Sequence, residues 1–145
     1  MTTASPPLSA ETAALKEAHA ALNRGDVAGF MRIFDPQIEF IEPPEFPGAG
    51  TYRGIDAVLA HVTKSRAAWA EGSCTPLRIT VAGDRILQLV HVHVRLAHET
   101  EWRTGEVTEA YTFRNSRVIQ LRLFADHQQA LQWAGVYAAD HEEKK

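Results

Sequence analysis

The chain has little of what marks a specialised protein. It carries one cysteine, Cys74, so neither an intramolecular disulfide nor a multi-cysteine zinc site can form. That fits a reducing compartment. It has no basic excess: 15 Lys+Arg against 18 Asp+Glu leave a net charge of -3, and no polybasic run offers a footing for nucleic acid or anionic lipid. No apolar run approaches the ~20 residues of a membrane span. The start, Met1-Thr2-Thr3-Ala4-Ser5-Pro6-Pro7, has neither a basic opening nor an apolar core, so no secretory signal is expected. Internal repeats and low-complexity tracts are missing as well. These absences predict a soluble, cytoplasmic domain with no nucleic-acid or membrane partner. What is there is ordinary: 145 residues, 45% hydrophobic and 23% charged, enough for one domain with a sizeable core.

The N-terminal half reads as helical. Residues 1–8 form a loose arm rich in Thr, Ser and Pro. Ser9 is placed to cap a first helix, in which Leu15, Ala18 and Leu22 recur at helical spacing. Gly25 then suits a helix stop and Asp26 a new start. Val27, Phe30, Met31 and Phe34 give the second helix an apolar stripe, which Asp35-Pro36 ends. Gln37 to Ile41 reads as a short strand. Residues 42–50 hold too many prolines and glycines for regular structure. Ile55, Val58, Leu59, Val62, Ala67 and Trp69 mark a third helix, closed by Gly72.

Near Leu77 the period changes to strand alternation. Leu77–Val81, Ile86–Ala97, Val107–Phe113 and Val118–Phe124 read as strands, with Asn115-Ser116 at a tight hairpin turn. A short closing helix around Ala130, Leu131 and Trp133 ends at Gly135. The domain is expected to span residues 9–136, with a charged tail over 137–145. The expected class is α+β: three N-terminal helices on a curved, mainly antiparallel sheet, together shaped as a cone with an apolar mouth. Helices cover one sheet face, and the apolar residues left on the other suit a homodimer.

Chemistry-bearing residues gather on the strands. Strict alternation places Glu109 on one face with Tyr111 and Phe113. A two-residue turn at Asn115-Ser116 would set Glu109 opposite Arg122, so a surface ion pair is the competing reading. His91 and His93 point to one face of their strand, and adjacent Glu109 and Tyr111 would complete a proton-transfer cluster. Two histidines supply too few ligands for a metal on their own, and no metal is predicted. Phe30, Phe34, Phe40, Tyr52 and Trp69 provide aromatic surface for a core or a pocket wall. Cys74 has no basic neighbour in sequence and reads as a structural thiol.

Three segments carry a resemblance: Ala20-Ala21-Leu22-Asn23-Arg24-Gly25-Asp26-Val27-Ala28-Gly29-Phe30, Tyr52-Arg53-Gly54, and Tyr111-Thr112-Phe113-Arg114-Asn115-Ser116-Arg117-Val118. In their order and spacing the chain resembles the nuclear transport factor 2-like superfamily, in its SnoaL-like branch, which includes polyketide cyclases and ketosteroid isomerase. The resemblance covers roughly Ser9 to Gly135. It implies a carboxylate base at the end of the first strand before a proline, here Glu42 before Pro43, and a second acid at Glu109. It also implies a tyrosine on the first helix, where this chain has Ala18. The implied activity is cofactor-free isomerisation, dehydration or cyclisation of a hydrophobic carbonyl compound. Glu42, Glu109, His91 and His93 would be the catalytic groups, and Phe30, Phe34, Phe40, Tyr52, Trp69 and Tyr111 would line the pocket. The alternative is a non-catalytic module that binds a ligand or a partner on the same fold.

Overall fold

The computed structural model describes residues 7–136. Helix α1, Ser9–Asn23, buries Leu15, Ala18, His19 and Leu22 along one stripe. Ser9 is its first helical residue rather than its cap; Leu8, at φ 55°, takes the cap position without a side-chain hydrogen bond. Gly25, at φ 85°, lets the chain turn. Asp26 then caps α2, Val27–Met31, by accepting from the Gly29 N–H at 2.9 Å.

Strand β1, Phe34–Glu42, starts earlier than the sequence predicts, and β2, Gly50–Arg53, returns antiparallel to it. Helix α3, Ile55–Ala67, follows. Strands β3, Trp69–Ala82, β4, Arg85–Leu96, β5, Arg103–Arg114, and β6, Arg117–Phe124, form the meander, and α4, His127–Trp133, closes the chain. The three helices expected before the sheet are not one block: β1, expected over Gln37–Ile41, and the unexpected β2 separate α2 from α3, while α4 is the closing helix expected around Ala130, Leu131 and Trp133. The class is α+β, as expected. The strand order is β2-β1-β6-β5-β4-β3, antiparallel except where β1 runs parallel to β6.

Two further expectations are corrected. Gly72 and Trp69 lie in β3, not in α3. β3 is an edge strand, so Pro76 is tolerated there beside a register shift, and Gly72 lies where a Cβ would be 2.8 Å from the His93 carbonyl oxygen. The β5–β6 turn does use Asn115 and Ser116, both at positive φ as a type I′ turn requires. A bulge follows, however: Phe113 pairs with Val118 but Thr112 with Gln120, leaving Ile119 extra. Glu109 consequently lies opposite Leu123, not Arg122.

The main core joins α1, α2 and α3 to the inner sheet face through residues such as Leu15, Phe30, Ile38, Val58, Tyr111 and Leu121. On the outer face, Ala130 and Leu131 of α4 pack on Leu87 and Ala110. Of the expected arm only Pro7 and Leu8 fall among the described residues, and the tail over 137–145 lies outside them. No described helix is long and apolar enough to cross a membrane.

Candidate active site

The last residue of β1 and the middle of α3 meet on the inner face. Alternation along β1 brings Ile38, Phe40 and Glu42 to the same side. On α3 the buried positions are Val58, His61 and Val62, one helical stripe. These two patterns set His61 Nε2 2.9 Å from Glu42 Oε1, with both side chains about nine-tenths buried (8% and 10% exposed). With Glu42 as carboxylate, the imidazole donates from Nε2. The Tyr52 ring stacks on His61 at 3.8 Å, and Phe40 meets it edge-on at 5.3 Å. Tyr52 also donates its hydroxyl to the Gly48 carbonyl at 2.9 Å, which draws the proline-rich loop over the pair. Gly48 is needed there: a Cβ would sit 2.6 Å from Glu42 Oε2 and 2.8 Å from His61 Cε1.

A second polar cluster surrounds Glu109. Tyr111, two residues along β5, donates its hydroxyl to Glu109 Oε1 at 2.8 Å. Gln88, paired with Glu109 across β4, donates its amide to the same oxygen at 3.1 Å. His19 of α1 brings Nε2 to 3.9 Å. That nitrogen is buried and has no hydrogen-bond partner among the described residues. Asn23 lies 3.5 Å from His19 Nδ1. Burial, and then the neighbouring Glu109, hold the Tyr111 hydroxyl well above its ordinary ionisation range, so it stays a donor.

Both clusters open onto one cavity of about 100 Å³, whose lining includes Glu42, His61 and Glu109 with Phe30, Phe40 and Leu121. At ~30 Å³ per water this is space for about three waters, or for one reacting end of a larger molecule. Ser65 and Arg66 of α3 also reach it. Arg66 donates to the Leu22 carbonyl at 3.0 Å, and its guanidinium lies 3.9 Å from the Trp69 ring centroid.

The structure thus brings Glu42 and Glu109 together, but not His91 and His93. Direct partners across an antiparallel pair share a face, and Gln88 is the partner of Glu109. His91 and His93 have the opposite parity, so they project from the outer face. There His91 Nε2 lies 3.2 Å from Thr104 Oγ1, and His93 stacks on Trp102 at 4.4 Å. The predicted shared wall of Glu109 with these histidines is therefore corrected.

Among the aromatic residues, Phe30 and Phe40 line the cavity and Tyr52 and Tyr111 hold its polar groups. Phe34 is core, edge-on to Phe30 at 5.0 Å, and Trp69 serves as the platform for Arg66. No three His, Cys, Asp or Glu side chains among the described residues are grouped to hold a metal ion. His19, His61, Gln88 and Arg66 are absent from the sequence-based set. His19 sits on the Leu15–Leu22 stripe and His61 beside Val58 and Val62, so helical phase alone marks both as buried.

A family model for the SnoaL-like domain matches residues 15–121. Among solved structures, an NTF2-like protein of Burkholderia xenovorans is 30% identical, with 86% of this chain and 94% of that chain covered and a TM-score of 0.67. TerC, co-crystallised with polyporic acid, is 16% identical with a TM-score of 0.72, covering 87% of this chain and 98% of its own. A candidate SnoaL-like polyketide cyclase of Jannaschia is 14% identical with a TM-score of 0.70, covering 93% and 98%. At 14–16% identity the likeness is one of fold. No curated protein matches. The matched family model spans α1 to the middle of β6, and the 30%-identical relative is covered almost end to end, so this chain belongs to the SnoaL-like branch of the NTF2-like proteins.

Proposed function

We propose that the cavity binds a small hydrophobic carbonyl compound and moves a proton at the carbon beside its carbonyl. The single observation that carries this is the convergence of two independently held carboxyl groups, Glu42 and Glu109, on one apolar-walled space. Glu42 and His61 act as one unit that takes the proton, the carboxylate orienting the imidazole and stabilising it when charged. Glu109 acts from the other side. Its Oε1 accepts from Tyr111 and Gln88, while Oε2 makes no hydrogen bond to a described residue. Oε2 is thus the atom through which Glu109 meets the reacting end of the ligand and exchanges a proton with it. The mostly apolar lining strengthens that contact by keeping water out. Isomerisation, dehydration and ring closure all pass through such a step. The fold of TerC, which was co-crystallised with polyporic acid, supports a small organic ligand in this kind of scaffold. Two copies would pair through the part of the outer face that α4 leaves open, where Trp102 is exposed.

The test is conversion of a small β,γ-unsaturated cyclic ketone to its conjugated isomer, followed by proton NMR in D2O. Glu42→Gln and Glu109→Gln are each expected to slow it by about 10²-fold or more, the range for a lost proton-transfer group. A wild-type protein that binds the ketone yet converts it no faster than buffer overturns the catalytic reading. It would favour the second one, a binding module in which the Glu42–His61 and Glu109–Tyr111 contacts only hold the wall together. The observation on that side is that each acid already has an internal partner.

A further inference from the structure

Arg66 is the one arginine or lysine among the described residues that line the cavity. Its position is over-determined. The carbonyl of Leu22 accepts from it at 3.0 Å, the Trp69 ring lies beneath it at 3.9 Å, and the Cys74 thiol lies near it. Yet no carboxylate among the described residues lies within ion-pair distance of it, although exposed arginines such as Arg53 and Arg103 each have one. The cavity acids are engaged elsewhere: Glu42 with His61, Glu109 with Tyr111 and Gln88. The thiol does not neutralise the guanidinium either, because burial, then Glu109, push Cys74 up to about 12 and keep it protonated. A half-buried charge without a counter-charge is costly unless a ligand supplies one. Arginine is also the side chain best shaped to take a planar anion with two parallel N–H bonds.

Building on the acid–base reading of the same cavity, we propose that its ligand is a hydrophobic oxo acid: Arg66, with the Ser65 hydroxyl, seats the carboxylate, and the ketone end turns toward Glu42–His61 and Glu109. The placement on α3 fits such a molecule. Arg66 follows His61 by five residues, about 7.5 Å along the helix axis, and it reaches toward α1 and β3 whereas His61 faces β1 and β2.

A matched pair of probes tests this. 5-Oxo-5-phenylpentanoate carries a carboxylate three methylenes from its ketone, and 1-phenylpentan-1-one is the corresponding neutral ketone. Titration calorimetry is expected to show wild type binding the oxo acid at least tenfold more tightly, with a preference that shrinks as salt rises. Arg66→Gln should bring the two affinities to within about twofold, while binding of the neutral ketone stays near wild type and so reports an intact pocket. Arg66→Lys, which keeps the charge without the planar fork, should retain part of the preference. Equal affinities in wild type, or a preference that survives in Arg66→Gln, overturn the anion seat and leave the acid–base cavity standing. Failure of both probes to bind wild type overturns both.

Discussion

Removing the Tyr111 hydroxyl should change sign in its effect according to what stands at position 109. Tyr111 is fully buried and its one hydrogen-bond partner among the described residues is Glu109 Oε1, at 2.8 Å. Tyr111→Phe keeps the ring and its packing. The acceptor is not orphaned, because Gln88 still donates to it. The cost is then that of one net hydrogen bond, about 1 kcal/mol, or about 3 °C in Tm at this chain length. Glu109→Leu is a different perturbation: it strands the Tyr111 hydroxyl and the Gln88 amide together, and each buried orphan costs roughly 1–3 kcal/mol. In that background Tyr111→Phe removes an orphan and should stabilise by about 1 kcal/mol or more. Urea unfolding of the four proteins in the double-mutant cycle, with m unchanged, measures both values. If Tyr111→Phe destabilises by the same amount in both backgrounds, the hydroxyl does not depend on Glu109, and the account of the second cluster fails.

Three other outcomes follow from the same geometry. Gly48→Ala should slow ketone isomerisation about tenfold and cost about 1–3 kcal/mol in stability, since the new Cβ would press on Glu42 Oε2 and His61 Cε1; an unchanged rate would show that the loop yields freely. Cys74, pushed up to about 12, holds ~10⁻⁴ of its thiol as thiolate at pH 8 against ~10⁻¹ for a thiol at its ordinary 9.0. Its alkylation by iodoacetamide should therefore run roughly 10³-fold slower in the folded protein than in urea, and comparable rates would refute the burial argument. Both Cys74 and Tyr111 ionise later when folded than when unfolded, so their contribution to stability is complete below about pH 9 and is lost as pH rises beyond it. Cys74→Ala should flatten the decline in stability that begins near pH 9, and Tyr111→Phe the part above about pH 10, both read from urea midpoints against pH.

The helices and the inner-face core were readable because their signals are local. Leu15, Ala18 and Leu22 repeat at helical spacing, and Gly25-Asp26 punctuates them with a turn and a cap that the structure reproduces. Glu42 was legible only through the resemblance, since Glu39 and Glu45 are equally acidic neighbours. The structure separates them by face: Glu39 pairs with Arg53 at 3.1 Å while Glu42 turns inward to His61. His61 and His19 could have been marked as buried from helical phase, but not as partners of particular carboxylates. Those pairings join residues 19 and 90 positions apart, and nothing local specifies them. The first half of β3 was missed for a related reason. Gly72 reads as the stop of the third helix and strand alternation is evident only from Leu77, whereas the long neighbouring edge of β4 makes Trp69–Pro76 strand as well.

Strand parity explains both the failed histidines and the successful glutamate. The reading that groups His91 and His93 with Glu109 takes their common odd parity on adjacent strands as a common face, but register decides which positions of two strands match, and Gln88 holds the place opposite Glu109. Parity within β5 correctly put Glu109 with Tyr111. Its partner on β6 was misjudged by one residue because the extra Ile119 is invisible in a pattern of Val, Ile and Leu that reads as continuous strand. The consequence reaches the site. Without the bulge Arg122 would sit opposite Glu109 on the inner face, and Leu121 and Leu123 would turn outward. With it, Leu121 and Leu123 line the cavity beside Glu109, while the Arg122 guanidinium lies 5.5 Å from the Trp133 ring of α4 on the outer face. One inserted residue thus keeps a competing arginine away from Glu109, leaving Oε2 without a hydrogen-bond partner among the described side chains, in a wall of leucine and phenylalanine.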